Sequence, residues 1–171
     1  EDLRMLSLAE AGELQLEIQP VDVGHLVQTA VERVHGAAQE KGVGLTSELP
    51  DGLFEVAGDE QRLSQALSNL LSNALRHTSQ GGEIAVVARQ VDGNDVRIAV
   101  QDNGEGIPAD ELPHVFERFY RTDKSRSREH GGSGLGLAIV KHILEVHDQE
   151  AFVESTPDQG STFSFTLNKA G

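Results

Sequence analysis

The chain has 171 residues and no cysteine, which excludes disulfides, thiolate metal sites and cysteine nucleophiles. Lysine and arginine total 14 against 28 acidic residues, a formal net charge of −14 that disfavours nucleic acid and anionic membrane as partners. No apolar run approaches a membrane span, no signal-peptide pattern opens the chain, and 37% hydrophobic with 25% charged residues describes one domain with a real core.

Residues 1–11 carry Leu3, Met5, Leu6 and Ala9 in a helical pattern, and Gly12 supplies a stop. This helix has no visible beginning and reads as the tail of something upstream. Leu14, Leu16 and Ile18 then alternate towards Pro20 as a short extended stretch. Asp22 caps a helix running to about Lys41, where Val23, Leu26, Val27, Ala30, Val31, Val34 and Ala38 keep helical spacing and Gly42 ends it. Val43–Leu49 and Leu53–Ala57 read as two strands joined by a Pro50-Asp51-Gly52 turn.

Asp59 opens a second helix to about Thr78, with a buried stripe of Leu63, Ala66, Leu67, Leu70, Leu71 and Ala74. Strands Glu83–Val91 and Asp95–Asp102 flank an Asp92-Gly93-Asn94 hairpin turn. A Gly- and charge-rich region from Asn103 to Ser133 holds a short helical piece near Glu111–Arg121. A third strong helix covers Gly134–Val146, and strands Ala151–Ser155 and Thr162–Leu167 flank a Pro157–Gly160 turn. The elements imply an α+β two-layer sandwich, with helices on one face of a mixed sheet whose strands pair mostly as hairpins.

Four features carry candidate chemistry. Asn69 and Asn73 are four apart and Arg76 follows three later, so all three share one helix edge beside the apolar stripe. An amide oxygen is a hard ligand suited to Mg²⁺, and the arginine is within a turn's reach of a phosphate; exposed or capping amides are the plainer reading. In Asp102-Asn103-Gly104-Glu105-Gly106, strict alternation puts Asp102 on the apolar face of Val96, Ile98 and Val100. A carboxylate there needs a donor such as the exocyclic amine of a purine, although Asp-Asn-Gly is also a common turn. Gly131-Gly132-Ser133-Gly134-Leu135-Gly136 leads into a helix and offers free amides to phosphate, without matching a dinucleotide or P-loop spacing. Arg118, Arg121, Lys124, Arg126 and Arg128 oppose only Asp123 within residues 118–128, either as a solvated run or as an anion-gathering lid. In this order, the four together describe an ATP site.

The same residues resemble the ATP-binding catalytic domain of bacterial sensor histidine kinases. The asparagine box is similar to Arg62–Thr78 and the first glycine box to Asp102–Pro108. The phenylalanine box is similar to Val115–Arg121 and the second glycine box to Gly132–Val140. The resemblance implies the Bergerat-type (GHKL) fold shared with gyrase, heat-shock chaperones and mismatch-repair proteins. Such a fold has a mostly antiparallel sheet of about five strands under three helices, with a mobile ATP lid at about residues 107–133. It implies Mg²⁺ on Asn73 with Asn69 assisting, and phosphate on Arg76. His77 would stand where the family usually places an aromatic ring on the adenine edge. Asp102 would hold the adenine amine, with Gly104, Gly106 and Ile107 around the ring. The lid's Arg118 and Arg121 would steady the γ-phosphate, Gly132, Gly134, Leu135 and Gly136 would give backbone to the phosphates, and Thr162 would lie near the adenine.

Leu3 to Leu14 is similar to the end of the family's dimerisation and phosphoacceptor helix, so residues 1–13 are expected to belong to that element and 14–171 to the catalytic domain. No histidine stands in the family's phosphoacceptor context; His25, His35, His114, His130, His142 and His147 read as structural or exposed. His147-Asp148-Gln149-Glu150 departs from the family, which usually shows glycines after the histidine; only a turn is at stake. The resemblance implies ATP and Mg²⁺ as cofactors and, as partners, a dimerisation domain absent from this chain and a response regulator. It implies no nucleic acid and no direct membrane contact by this domain. The implied placement is cytoplasmic, either as a free protein or as the cytoplasmic part of a membrane-anchored kinase. An anti-sigma serine kinase, an ATP-driven clamp and a non-catalytic nucleotide module are the rival readings.

Overall fold

The computed structural model describes residues 2–121 and 134–171. Helix α1 (Asp2–Glu10) leads to strand β1 (Gln19–Val21), helix α2 (Val23–Lys41), strands β2 (Gly44–Glu48) and β3 (Val56–Gly58), and helix α3 (Glu60–His77). Strands β4 (Glu83–Val91) and β5 (Asp95–Asp102) follow, then a 3₁₀ turn (Leu112–His114), helix α4 (Gly136–Val146), and strands β6 (Ala151–Thr156) and β7 (Gly160–Asn168).

The predicted caps form. Asp22 Oδ1 accepts from His25 N at 3.0 Å, and Gly42 closes α2 in the left-handed conformation (φ 74°) while donating to Ala38 and Gln39. Asp59 Oδ1 accepts from Arg62 N at 3.1 Å, and its Oδ2 accepts from Glu17 N at 3.0 Å. His147 joins the start of α3 to the end of α4: its Nδ1 bonds to Ile143 O at 2.7 Å and its Nε2 accepts from Asp59 N at 3.1 Å. The following Asp148 sits at φ 57°, which aspartate tolerates better than most side chains.

Five strands form one sheet in the order β2-β4-β5-β7-β6. The β4/β5, β5/β7 and β6/β7 pairs are antiparallel, and β2 lies parallel to β4. Ile84, Val86, Ala88, Val96, Ile98, Val100, Phe163, Phe165 and Leu167 share one sheet face, each no more than 2% exposed. They pack with Leu63, Leu67, Leu70, Leu71, Ile139, Ile143 and Leu144 of α3 and α4. Helix α2 packs on α3 and on β2, and α1 packs on α4. Met5 and Leu6 of α1 are buried in this same core, so the first helix is part of the folded body. Among the described residues, no helix is long and apolar enough to cross a membrane.

Two expectations are sharpened. The Pro50-Asp51-Gly52 turn joins β2 to β3, but the two do not pair with each other, because β3 pairs with β1 in a separate two-stranded ladder. That pairing buries Val21 and Val56 together, while β2 finds a parallel neighbour in β4 through the crossover that α3 provides. The helix expected near Glu111–Arg121 is only the 3₁₀ turn and further three-residue turns, Glu117 N to His114 O at 2.9 Å and Tyr120 N to Glu117 O at 3.1 Å. Pro113 has no amide to donate, and Phe119 at φ 64° donates instead to Gly134 O at 2.9 Å, which turns the chain out of any helix.

Candidate functional site

Residues three and four apart on a helix face the same way, and α3 uses this to aim Asn69, Asn73, Arg76 and His77 into one cavity of about 200 Å³. Ile107, Val115, Tyr120 and Arg121 form another wall. Gly134, Gly136 and Leu137, at the start of α4, form a third, and Asp2 of α1 reaches the rim. Asn69 Nδ2 donates to Gly136 O at 3.3 Å, which ties α3 to the first turn of α4 and leaves the Asn69 amide oxygen over. Asn73 is 9% exposed and lines the cavity, outside the side-chain hydrogen bonds of the described residues.

The cavity is electropositive in a chain of net charge −14. Arg76 and Arg121 both line it, and the Arg76 guanidinium is held below its ordinary pKa by burial first and then by the like charge of Arg121. The N-terminal amides of the 11-residue α4 add the positive end of its dipole on the opposite side. A polyanion entering between them relieves this repulsion and meets donors on two walls.

Asp102 lies on the helix-covered face, as alternation predicts, in register with Ile84 on one side and Ser161 on the other. Its Oδ1 accepts from Gly104 N at 2.9 Å and Ser161 N at 3.3 Å. Its pKa is nonetheless raised. Burial is the largest cause and Glu105 adds to it, against the lowering pull of the two backbone amides and of His77. Asp102, Gly104 and Gly106 do not themselves line the cavity; they adjoin it through His77 and Ile107. A Cβ on Gly104 would collide with the His77 carbonyl, and one on Gly106 (φ 69°) with the Thr156 carbonyl. Only glycine lets these backbones approach so closely. Ile107 N donates to Ser155 Oγ at 2.7 Å, which joins this loop to the β6–β7 hairpin.

Two expected site residues are placed elsewhere. Thr162 pairs with Gln101, one register step from Asp102, so alternation puts it on the opposite sheet face. The hydroxyl beside Asp102 belongs to Ser161, whose Oγ is 2.8 Å from Ser155 Oγ. Arg118 does not line the cavity; its Nη2 pairs with Glu10 Oε2 of α1 at 2.7 Å. Leu135, expected to act through its backbone, buries its side chain in the core, and the Leu137 side chain lines the cavity. Gly132 and residues 122–133 of the expected lid lie outside the described residues.

Asp2, Glu105, Val115, Tyr120, Leu137 and Ser161 are the neighbours that sequence reasoning did not single out. Counting strand parity from Asp102 would have found Ser161, and Glu105, Val115, Tyr120 and Leu137 lie inside the boxes quoted above.

The sequence model of the histidine kinase-, DNA gyrase B-, and HSP90-like ATPase family matches residues 58–171. The chain is 41% identical over 166 residues to the sensor-like histidine kinase SenX3 of Mycolicibacterium smegmatis, covering 97% of this chain and 43% of that protein. It is 39% identical over 167 residues to the signal transduction histidine-protein kinase BaeS of Escherichia coli, covering 98% of this chain and 35% of that protein. Full-length ShkA, solved in complex with AMPPNP, superposes with a TM-score of 0.88 at 31% identity, covering 99% of this chain and 35% of that one. The chain therefore spans less than half the length of each of these relatives.

Proposed function

The chain belongs to the histidine kinase-, DNA gyrase B-, and HSP90-like ATPase family, and from that premise we propose that it binds Mg-ATP as the catalytic domain of a sensor histidine kinase. Its product step is transfer of the γ-phosphoryl group to a histidine on a dimerisation domain, and a response regulator is the final acceptor. The observation that carries this reading is the convergence of Asn69, Asn73, Arg76 and His77 on a cavity whose other wall is the N-terminus of α4. The names of SenX3 and BaeS support the kinase branch of the family. Residues 1–13 are read as the end of the dimerisation helix, and the domain as working in the cytoplasm.

The donor set fits magnesium. Among the described residues no group of three His, Cys, Asp or Glu is placed to hold a metal, so a stand-alone protein site is not built there. The Asn73 amide oxygen, with that of Asn69 beside it, would hold Mg²⁺, an ion that needs few protein ligands. When bound it neutralises phosphate charge during transfer.

The chain's own residues do the rest. Arg76 and Arg121 hold the phosphates by charge, and α4 presents backbone amides to them. Asp102 accepts from the adenine amine, and Ile107 packs the ring. Phosphoryl transfer demands alignment and charge neutralisation with little covalent chemistry from the protein, so a scaffold of this kind suffices once an acceptor is brought in line.

Calorimetric titration with a non-hydrolysable ATP analogue, with and without Mg²⁺, tests the first half. Saturable one-to-one binding altered by magnesium is expected. Incubation with labelled ATP and a histidine-bearing dimerisation domain tests the second half. Acid-labile, base-stable label is expected, whereas acid-stable label would make the chain a serine kinase.

A further inference from the structure

Glu105, which the roles above leave unused, pairs with the cavity-lining His77. His77 Nδ1 lies 2.6 Å from Glu105 Oε1, with the two side chains 19% and 15% exposed. A carboxylate can only accept, so Nδ1 carries a proton and donates to it, and Nε2 is the ring nitrogen turned away from Glu105. The backbones close the same join. Glu105 N donates to His77 O at 3.2 Å, and Glu105 O accepts from Asp158 N at 2.8 Å. Glu105 is therefore anchored to the end of α3 and to the β6–β7 turn by its main chain, whatever its side chain does. The carboxylate reaches the imidazole from this fixed backbone. His77 lines the cavity, and its carbonyl and Asp102 Oδ1 both lie within 3.0 Å of where a Cβ on Gly104 would stand, which puts this residue at the Asp102 end.

We propose that Glu105 is a positioning residue for the nucleotide: it fixes the ring plane of His77 through Nδ1, so the imidazole offers one face and its Nε2 edge to the adenosine end of ATP. This rests on the nucleotide reading above. A ring held in place before binding does not have to be ordered during it. That saving corresponds to about two- to tenfold in affinity for one immobilised side chain.

The test is calorimetry of the full chain with a non-hydrolysable ATP analogue, on Glu105→Ala, Glu105→Gln, His77→Ala and the Glu105→Ala/His77→Ala pair. Glu105→Ala should weaken binding about two- to tenfold, and Glu105→Gln, which keeps an acceptor for Nδ1–H, should recover most of it. In the His77→Ala background, Glu105→Ala should cost nothing further. Long-range ¹H–¹⁵N spectra should show a proton on His77 Nδ1 in the unaltered chain and a smaller share of Nδ1–H in Glu105→Ala. Undiminished binding by Glu105→Ala, or an equal loss with and without His77, would overturn the proposal alone. No binding by the unaltered chain at millimolar analogue would overturn the nucleotide reading and this proposal with it.

Discussion

The substitution Asp102→Asn should pull recognition and stability in opposite directions. Asp102 Oδ1 is occupied by the Gly104 and Ser161 amides, so an asparagine must keep its oxygen there and turn its NH₂ to where Oδ2 stood. A donor then replaces an acceptor. The adenine amine is itself a donor, whereas guanine offers an acceptor oxygen at the same place. A hydrogen bond to a charged group is worth about 1.5–3 kcal/mol, and each 1.4 kcal/mol is tenfold, so ATP-analogue binding should weaken roughly 10- to 150-fold. The corresponding guanine nucleotide should lose less.

Stability runs the other way. The Asp102 pKa is raised in the folded chain, chiefly by burial, so between the unfolded and folded values the folded state binds more protons. Stability contributed by this group is therefore present below the unfolded value and falls as pH rises through that window. An asparagine side chain cannot ionise, so the unliganded Asp102→Asn variant should melt at or above the unaltered chain at about pH 7.5, with the gap closing as pH is lowered through the carboxylate range. Titration calorimetry and thermal melts across pH read both effects. Unchanged affinity with intact adenine preference would refute the site, and a gap that widens on acidification would refute the electrostatic argument.

Asn73→Ala should bring nucleotide affinities with and without Mg²⁺ to nearly the same value, with little change in melting temperature, as paired titrations and melts would show. Gly104→Ala forces a methyl into the His77 carbonyl and should both lower the melting temperature and abolish analogue binding. Thr162→Val changes the sheet face away from Asp102 and should leave the analogue Kd within about twofold. Leu67→Ala, at a fully buried position, should cost about 2–5 kcal/mol in urea unfolding.

Where a signal was local, the sequence carried it. The capping aspartates at 22 and 59, the glycine at 42 and the Asp92-Gly93-Asn94 turn each act within four residues, and the elements they bound are where they were expected. The α3 site face was legible for the same reason, since Asn69, Asn73 and Arg76 need only a helix to align them. Pro50-Asp51-Gly52 is an equally strong local signal, yet it joins no hairpin, because strand partners are chosen by burial against distant chain. Thr162 was misplaced by a single register step: two adjacent hydroxyls in Ser161-Thr162 differ only in parity, which the pairing with β5 decides. Arg118 looked like a phosphate ligand from its neighbours in sequence, but its partner, Glu10, lies more than a hundred residues away.

The region around Asp102 is walled by main chain. Gly104 lies on the His77 carbonyl, Gly106 on that of Thr156, and Gly160 on that of Asp102 itself, with no space for a methyl at any of the three. An inhibitor drawing its contacts from those peptide edges and the single carboxylate would leave a bacterium few routes to resistance. Any side chain added there to exclude the drug would shut out the natural ligand too. A compound leaning on Tyr120, Val115 or Leu137 in the adjoining cavity would instead meet side chains, which can change without the backbone having to move.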